Sequence, residues 1–151
     1  MDHPQLTLHG TCVAVGGRGV LILGPPGSGK SSLALRLMDE PGQGLSKELM
    51  TAELVSDDQV VVTRSGGSLV ASAPAQIKGK FEIRGLAIVE LPTLPKASLS
   101  LAVKLRPNSE IERLPDPASF DILGVSLPMV EIDAQAASAP SRLRAALNWL
   151  G

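Results

Sequence analysis

The chain has few aromatic residues, one cysteine and almost no net charge, and each shortage excludes a class of function. Its 151 residues include two Phe, one Trp and no Tyr, so a nucleobase would find few rings on which to stack. Lys and Arg number 14 against 15 Asp and Glu, which argues against a nucleic-acid surface. Cys12 stands alone, which excludes an internal disulfide and fits a reducing cytoplasm. No apolar run reaches membrane-spanning length, so we expect a cytoplasmic protein with one domain over residues 1–151.

A complete phosphate-binding loop is the feature around which the rest of the sequence is arranged. Residues 24–31 read GPPGSGKS and fit the pattern G-x-x-x-x-G-K-[ST] without a mismatch. An apolar run over 19–23 precedes the loop and a good helix former over 32–38 follows it, which is the context that such a loop needs. Backbone N–H groups would point at phosphate oxygens, while Lys30 reaches the β- and γ-phosphates and the Ser31 hydroxyl binds Mg²⁺. The residues expected to bind the nucleotide are Gly24, Gly27, Ser28, Gly29, Lys30, Ser31 and Ser32.

The remaining patterns predict many strands and few helices. A strand over 6–15, a Gly-rich turn and the strand before the loop predict a hairpin that leads into the loop. The run over 86–91 predicts a buried strand, and Pro128 predicts an edge position for the last strand at 125–132. A final helix is predicted at 139–150, with two arginines facing water and four apolar residues mostly in the core: Arg142, Arg144, Leu143, Leu147, Trp149 and Leu150. The sequence therefore predicts an α/β fold with a mixed sheet.

Two adjacent acids, Asp57 and Asp58, follow a predicted strand at 53–55. A P-loop enzyme needs an acid at a strand end to hold Mg²⁺, and it needs a carboxylate that orients or deprotonates the acceptor. Consecutive side chains of an extended chain diverge, so two adjacent acids can address both partners. A polar turn also explains Ser-Asp-Asp, but beside a phosphate-binding loop it is the weaker explanation.

Three further candidates have an ordinary structural explanation as well. Glu82 and Arg84 are two apart in an extended segment and point to the same side, where they could join a metal shell and neutralise phosphate. An exposed ion pair on an edge strand is the alternative. His9 precedes Gly10, which indicates a bulge or a close backbone approach in the first strand. The histidine either satisfies a backbone group or lies at the site.

The order of these motifs resembles the catalytic domain of HPr kinase/phosphorylase. His9-Gly10, the hairpin into the loop, LVSDDQV at 54–60 and EIRGLAI at 82–88 follow one another as in that family. The chain looks like the short form, which lacks the family's separate N-terminal domain. The resemblance implies a P-loop fold akin to phosphoenolpyruvate carboxykinase. It also implies a kinase that uses ATP and Mg²⁺ to phosphorylate a serine of the phosphocarrier HPr, or of a related carrier, in the phosphotransferase system.

The same resemblance implies roles for single residues. Asp57 would accept the serine proton, Asp58 would support the P-loop and the metal region, and His9 would lie near the transferring phosphate. Glu82 would bind Mg²⁺, and Arg84 would organise the site. The catalytic candidates are therefore His9, Asp57, Asp58 and Arg84, and the metal candidates are Ser31, Asp58 and Glu82.

Three departures from the family pattern bear on the reaction. Pro26 stands where the family usually has a serine, and Ser32 where a carboxylate commonly follows. Residues 127–133 read LPMVEID, without the arginines that long forms carry in a Pro-Val-Arg-Pro-Gly-Arg-Asn-like stretch used in the reverse reaction. Glu131 and Asp133 would repel a second phosphate there, so we expect a kinase with little phosphorylase activity. The hexamer typical of long forms is likewise in doubt, and a homo-oligomer stays open.

Two other functions stay open at this point. A small-molecule kinase on another P-loop scaffold would need a lid with arginines, for which 106–113 is the candidate stretch. A nucleotide-responsive regulatory module would bind without transferring phosphate. A module of that kind has no need of a second acid beside the metal-binding one.

Overall fold

Strands dominate the structure because most apolar segments are short runs of Val, Leu, Ile and Ala separated by turns. The computed structural model describes residues 3–150. Within that range, no helix is both long enough and apolar enough to cross a bilayer. The strands are β1 Gln5–His9, β2 Thr11–Val15, β3 Arg18–Leu23, β4 Ala52–Ser56, β5 Gln59–Ser65, β6 Ser68–Ser72, β7 Lys80–Ile83, β8 Ala87–Glu90, β9 Ala97–Leu105, β10 Ala118–Ile122 and β11 Val125–Ile132. The helices are α1 Lys30–Asp39 and α2 Ala139–Leu150, with 3₁₀ turns at Ala75–Ile77 and Asn108–Glu110.

Nine of the strands form one mixed sheet with β9 at its centre. The strand order is β1-β5-β6-β9-β3-β2-β4. One edge of β9 pairs in parallel with β3. The other edge pairs first with β6, in antiparallel, and then with β11, in parallel, while β10 adds to β11 in antiparallel. The predicted mixed sheet and the predicted β2–β3 hairpin are both confirmed.

Both faces of β3 are buried, which is why this strand reads as a nearly continuous apolar run, whereas β9 is buried on both faces only over 101–103 and is interrupted by polar residues. On one face, Val20 and Ile22 pack with the apolar sides of α1 and α2. On the other face, Leu21 and Ala102 pack with β5, β6 and the β10–β11 pair. The first face therefore fastens α1, and with it the loop that precedes α1, to the centre of the sheet.

The strand predicted over 6–15 is in fact two strands that join different partners. β1 pairs with β5, whereas β2 pairs with β3 and β4. Gly10 separates them, and its N–H donates to the carbonyl of Asp58 at 2.9 Å. A Cβ at Gly10 would lie 3.0 Å from the carbonyl oxygen of Ile22, so the predicted close backbone approach is confirmed.

The prediction of a buried strand at 86–91 is wrong. β8 pairs with β7 alone, and the two form a separate ribbon outside the large sheet. Only one side of this ribbon packs inward, through Phe81 and Val89. Leu86 and Ile88 are 73% and 69% exposed, because they lie in the turn and on the outward side.

Pro128 does not mark an edge strand, since β11 lies between β10 and β9. The ladder between β11 and β9 begins at Met129. Pro128 precedes it by one residue, so this ladder does not require the N–H that proline lacks.

The last helix has the predicted bounds, but part of its predicted burial is wrong. Leu143 and Leu147 are fully buried and Arg142 is exposed, as expected. Arg144 is only 3% exposed, because its guanidinium donates to the carbonyls of Leu37, Glu40 and Met50 at 3.0, 2.7 and 3.3 Å. Trp149 and Leu150, at the C-terminal end of α2, are exposed.

Candidate functional site

A cleft of about 480 Å³ lies where the glycine-rich loop, the end of β4 and the β7–β8 ribbon meet. Most of the predicted site residues line it: His9, Gly27, Gly29, Lys30, Ser31, Ser32, Asp57, Asp58, Glu82 and Arg84. Gly24 and Ser28 belong to the same loop but do not line the cleft. The lining residues that the sequence analysis did not propose as site residues are Thr11, Pro26, Leu35, Phe81, Ile83 and Gln135. The fold therefore gathers candidates from four separated segments around one space.

The loop between β3 and α1 is a tight turn that presents the first turn of a helix to the cleft. β3 ends at Leu23 and α1 begins at Lys30. Gly29 has φ +99°, and a Cβ there would lie 3.0 Å from the Cβ of Ala134, so this position requires glycine. Gly27 has φ +79° and open space on the side where a Cβ would point. The open side and the helix N-terminus together form a concave surface for an anion.

Lys30 is nearly buried at the base of the loop. Its Nζ donates to the carbonyls of Gly24 and Pro25 at 2.8 and 3.0 Å. Burial lowers the pKa of Lys30, while the nearby carboxylates of Asp58 and Asp57 act in the opposite direction. The ammonium group thus lies between the loop carbonyls and the acid pair, at the place where phosphates would need a cation.

Asp57 joins the strand end to the loop. It is 7% exposed, and its Oδ1 accepts hydrogen bonds from Ser31 Oγ at 2.7 Å and Thr11 Oγ1 at 2.9 Å. The family resemblance implied that Asp58 supports the P-loop, but the structure gives the contact with the loop serine to Asp57. The reason is local: Asp57 continues β4 toward α1, whereas the chain turns outward at the next residue.

Asp58 has a left-handed backbone with φ +70°, which is uncommon for a residue with a side chain. Its carbonyl accepts hydrogen bonds from the Gly10 N–H at 2.9 Å and from His9 Nδ1 at 3.0 Å. Because a carbonyl only accepts, Nδ1 carries a proton in this arrangement. His9 Nδ1 also lies 3.5 Å from Asp58 Oδ1, and the two side chains are 49% and 71% exposed. His9 therefore satisfies a backbone group and also lines the cleft, so the two explanations do not exclude each other, and a role near the transferring phosphate stays a prediction.

Glu82 and Arg84 lie on the opposite wall, on β7 and in the turn that follows it. Both are exposed. Within residues 3–150 neither side chain takes part in a hydrogen bond or an ion pair, so the alternative of an ion pair between them is wrong for this structure. Both charges are free to meet a ligand in the cleft.

The loop residues fit a phosphate group. Ser28 Oγ is buried and, in the described part of the chain, has no hydrogen-bond partner. The oxygens of Ser31, Asp57, Asp58 and Glu82 are of the kind that Mg²⁺ prefers. No group of three or more His, Cys, Asp or Glu side chains in residues 3–150 is close enough to hold a metal ion by itself. In nucleotide sites, one or two carboxylates and the phosphates commonly share the ion.

Thr11 and Gln135 are the two polar lining residues that sequence reasoning missed. Thr11 is a buried hydroxyl in an otherwise apolar strand, which is a weak signal that the sequence does contain. Nothing in the pattern around Gln135 points to the cleft. It arrives there because Arg36 of α1 donates to the carbonyls of Ala134 and Ala136 and holds this turn against the loop.

The C-terminal segment reaches the cleft at Gln135, and not through the acids that the sequence analysis considered. Glu131 accepts a hydrogen bond from Arg106 at 2.7 Å. Asp133 accepts from the backbone N–H groups of Asn108 and Gln135 at 2.9 and 2.8 Å. Neither acid is among the cleft-lining residues of the described chain, so the predicted repulsion of phosphate by these two carboxylates stays a prediction and would have to act from outside the cleft.

A strand, a glycine-rich loop and a helix, faced by an acid at the end of a neighbouring strand, are the arrangement of a P-loop protein. The chain belongs to the HPr Serine kinase C-terminal domain family, whose model matches residues 3–147. The family resemblance seen in the motifs is confirmed.

The chain spans less than half the length of two HPr kinase/phosphorylases that it matches. HPr kinase/phosphorylase of Cupriavidus metallidurans is 35% identical in a 144-residue alignment that covers 88% of this chain and 42% of the relative. The protein of the same name from Ralstonia pickettii is also 35% identical, with 41% of its length covered. The HPr(Ser) kinase/phosphatase from Coxiella burnetii has a similar structure, with a TM-score of 0.77 at 22% identity, covering 95% of this chain and 94% of that one. This likeness confirms the mixed α/β fold.

Proposed function

We propose that the chain is an ATP-dependent serine kinase domain that phosphorylates the phosphocarrier HPr or a related carrier in the cytoplasm. Family membership supports the reaction class. The observation that carries the proposal is the contact of Ser31 with Asp57 at the base of a cleft that also holds Lys30, Asp58 and His9. These are the parts that phosphoryl transfer needs: a phosphate cradle, a cation, a metal-binding acid and a second acid for the acceptor.

The geometry favours roles for Asp57 and Asp58 that differ from those that the family resemblance implied. Asp57 is tied to Ser31 and Thr11, so we assign it to the loop and to the metal ion. Asp58 is mostly exposed and lies beside His9, so an acceptor serine can reach it. Mg²⁺ would supply charge neutralisation when held by Ser31 and Asp57, with Glu82 facing them from the other wall.

In this assignment, residues of the chain accept the proton and neutralise the negative charge that arise when the terminal phosphate is transferred to the serine. Asp58 accepts the proton of the serine hydroxyl while the serine oxygen bonds to the terminal phosphorus. The bond from that phosphorus to the β-phosphate oxygen breaks, and ADP is the leaving group. Lys30 and Arg84 neutralise the negative charge on the transferred group from the two walls of the cleft.

We further infer that the forward reaction predominates. Reversal would require inorganic phosphate beside a phosphoserine, and two crowded anions need additional cationic donors. In the described chain Arg84 is the only arginine that lines the cleft, and the C-terminal turn contributes the neutral amide of Gln135. Phosphoserine carrier supplied with phosphate and Mg²⁺ should release pyrophosphate slowly. Release at the rate of the kinase reaction would overturn this inference.

Transfer of labelled phosphate from ATP to purified HPr-type carriers tests the proposal. We expect a phosphoserine on the carrier, identified by mass spectrometry, and no label on a carrier whose acceptor serine is alanine. Asp58→Asn should reduce transfer by roughly 10²–10⁴-fold, the usual effect of losing a positioned base, and leave nucleotide affinity nearly unchanged. Asp57→Asn should weaken Mg²⁺-dependent nucleotide binding itself.

The other outcomes of the same experiment identify the competing functions. Nucleotide binding without transfer to any carrier would indicate a regulatory module. Transfer to a small molecule alone would indicate a small-molecule kinase, although Arg106 of its candidate lid is engaged by Glu131 and Glu110.

A further inference from the structure

Thr11 is the one hydroxyl in a strand that is otherwise apolar. β2 reads TCVAV, and all five residues are buried. Thr11 is fully buried, and its Oγ1 donates to Asp57 Oδ1 at 2.9 Å. Burying a hydroxyl is unfavourable unless it finds a partner, and valine would occupy nearly the same space without that requirement. The presence of threonine here is therefore explained by its contact with the acid.

The contact determines which oxygen of Asp57 is free. Thr11 and Ser31 both donate to Oδ1. Oδ2 accepts no hydrogen bond from the described residues. Oδ2 is also not fully buried, because Ser28 Oγ is the only side-chain polar atom in that part of the chain that is both fully buried and without a partner. Since Asp57 lines the cleft, Oδ2 is the oxygen that a ligand there can reach. Two hydroxyls hold one oxygen, and the other is left for a ligand.

The contact also joins segments that are far apart in sequence. Thr11 begins β2, and the next residue, Cys12, pairs with Ser56, which immediately precedes the acids. Gly10 and Thr11 each form a hydrogen bond to a different one of the two acids. The Gly10 N–H holds the backbone of Asp58, and the Thr11 hydroxyl holds the side chain of Asp57. One short stretch thus orients both acids of the cleft.

We propose that Thr11 is a positioning residue for Asp57: it keeps Oδ1 on Ser31 and Oδ2 toward the cleft, and so sets the affinity for Mg²⁺ with nucleotide. The inference rests on the proposed function, because it takes Mg²⁺ and a nucleotide as the ligands. Outer-shell partners of ligating carboxylates act in this way by orienting the ligand, and their loss typically costs about 10- to 100-fold in metal affinity.

The test measures binding of a non-hydrolysable ATP analogue by calorimetry over a range of Mg²⁺ concentrations. Thr11→Val should raise the Mg²⁺ concentration needed for half-maximal binding about tenfold. Binding without Mg²⁺ should stay within about twofold of wild type, and Thr11→Ser should restore the wild-type Mg²⁺ dependence. Val13→Ala, in the same buried strand, is the control, since it lowers stability and should not change the Mg²⁺ dependence.

If Thr11→Val does not fold, Thr11→Ser and Thr11→Ala provide a second matched pair that differs by the hydroxyl alone. The alanine variant should then show the shift and the serine variant should not. Wild-type Mg²⁺ dependence in the variants without the hydroxyl, or an equal shift in Val13→Ala, would overturn this inference and leave the proposed function intact. A wild-type protein that binds no nucleotide at any Mg²⁺ concentration would overturn both.

Discussion

The P-loop wall of the cleft is packed into the large sheet, whereas the opposite wall is a two-stranded ribbon that pairs with no other strand within residues 3–150. On the first wall, Lys30, Ser31 and Asp57 are each held by hydrogen bonds between 2.7 and 3.0 Å. On the ribbon, Glu82 and Arg84 are exposed and have no such partners in the described chain.

The two walls differ in whether their functional side chains are fixed before a ligand binds. The P-loop wall has its geometry before any ligand arrives, because the same contacts that stabilise the fold orient its functional groups. Charges on the ribbon keep their rotamer freedom, and they lose it only when they bind something. Substitutions on the first wall should therefore alter both stability and binding, while those on the ribbon should alter function alone.

Loss of the buried arginine behind the P-loop wall should have the largest effect on stability. Arg144 donates to carbonyls at the end of α1 and at Met50, and burial lowers its pKa. Arg144→Met leaves the carbonyls of Leu37 and Glu40 without a donor, while the Met50 carbonyl keeps the N–H of Gly42 at 3.3 Å. The free energy of unfolding should therefore fall by about 2–4 kcal/mol in a urea titration. Arg142→Met, two residues away and exposed, should change it by less than about 0.5 kcal/mol. Equal effects would contradict the role given to Arg144.

Removing the loop cation should weaken nucleotide binding next most strongly. Lys30→Ala deletes a charged contact to the phosphates, which is expected to cost about 1.5–3 kcal/mol, or roughly 10- to 100-fold in the MgATP affinity. The shift in Tm that MgATP produces would measure the loss. Lys96→Ala, on an exposed lysine outside the cleft, is the control. A nucleotide-induced shift that is the same in Lys30→Ala and wild type would rule out this assignment.

A substitution on the ribbon should separate function from stability. Arg84→Met removes a charge that faces the cleft but has no partner in the fold, so phosphate transfer should fall about tenfold, or about 1.4 kcal/mol in barrier height. The free energy of unfolding should remain within about 0.5 kcal/mol of wild type. If Arg84→Met instead lowers stability as much as Arg144→Met, the contrast between the two walls is wrong.

The smallest effect is expected when the folded protein is treated with a thiol reagent near neutral pH, because Cys12 is buried in β2. Burial raises the pKa of the Cys12 thiol to about 12, so it stays protonated in the folded protein at pH 8–9. A thiol reagent should label it in denaturant and not in buffer. Because the folded pKa lies above the unfolded value, this thiol favours folding below about pH 9 and loses that contribution as the pH rises toward 12. Rapid labelling of folded protein at pH 8 would show that β2 opens readily.

The loop and the acid pair could be found from sequence because each depends on neighbouring residues. The motif at 24–31 sets its own turn through glycines and places Lys30 at the start of a helix, wherever the rest of the chain lies. The hairpin before the loop and the short apolar runs of the mixed sheet are equally local. These patterns sufficed to predict the fold class and the family, and most of the predicted site residues line one cleft.

The tertiary structure alone decided which side of each helix or strand is buried and which side chains from distant parts of the sequence are in contact. Arg144 is buried because the end of α1 lies against it, and the 86–91 run is exposed because β8 pairs only with β7. Thr11 and Asp57 are 46 residues apart, and their contact exists only because β2 and β4 are neighbours. Local propensity contains no term for such long-range pairing, so the pairing of strands, and not the motif, determined which of the two acids contacts Ser31 and what holds Asp57.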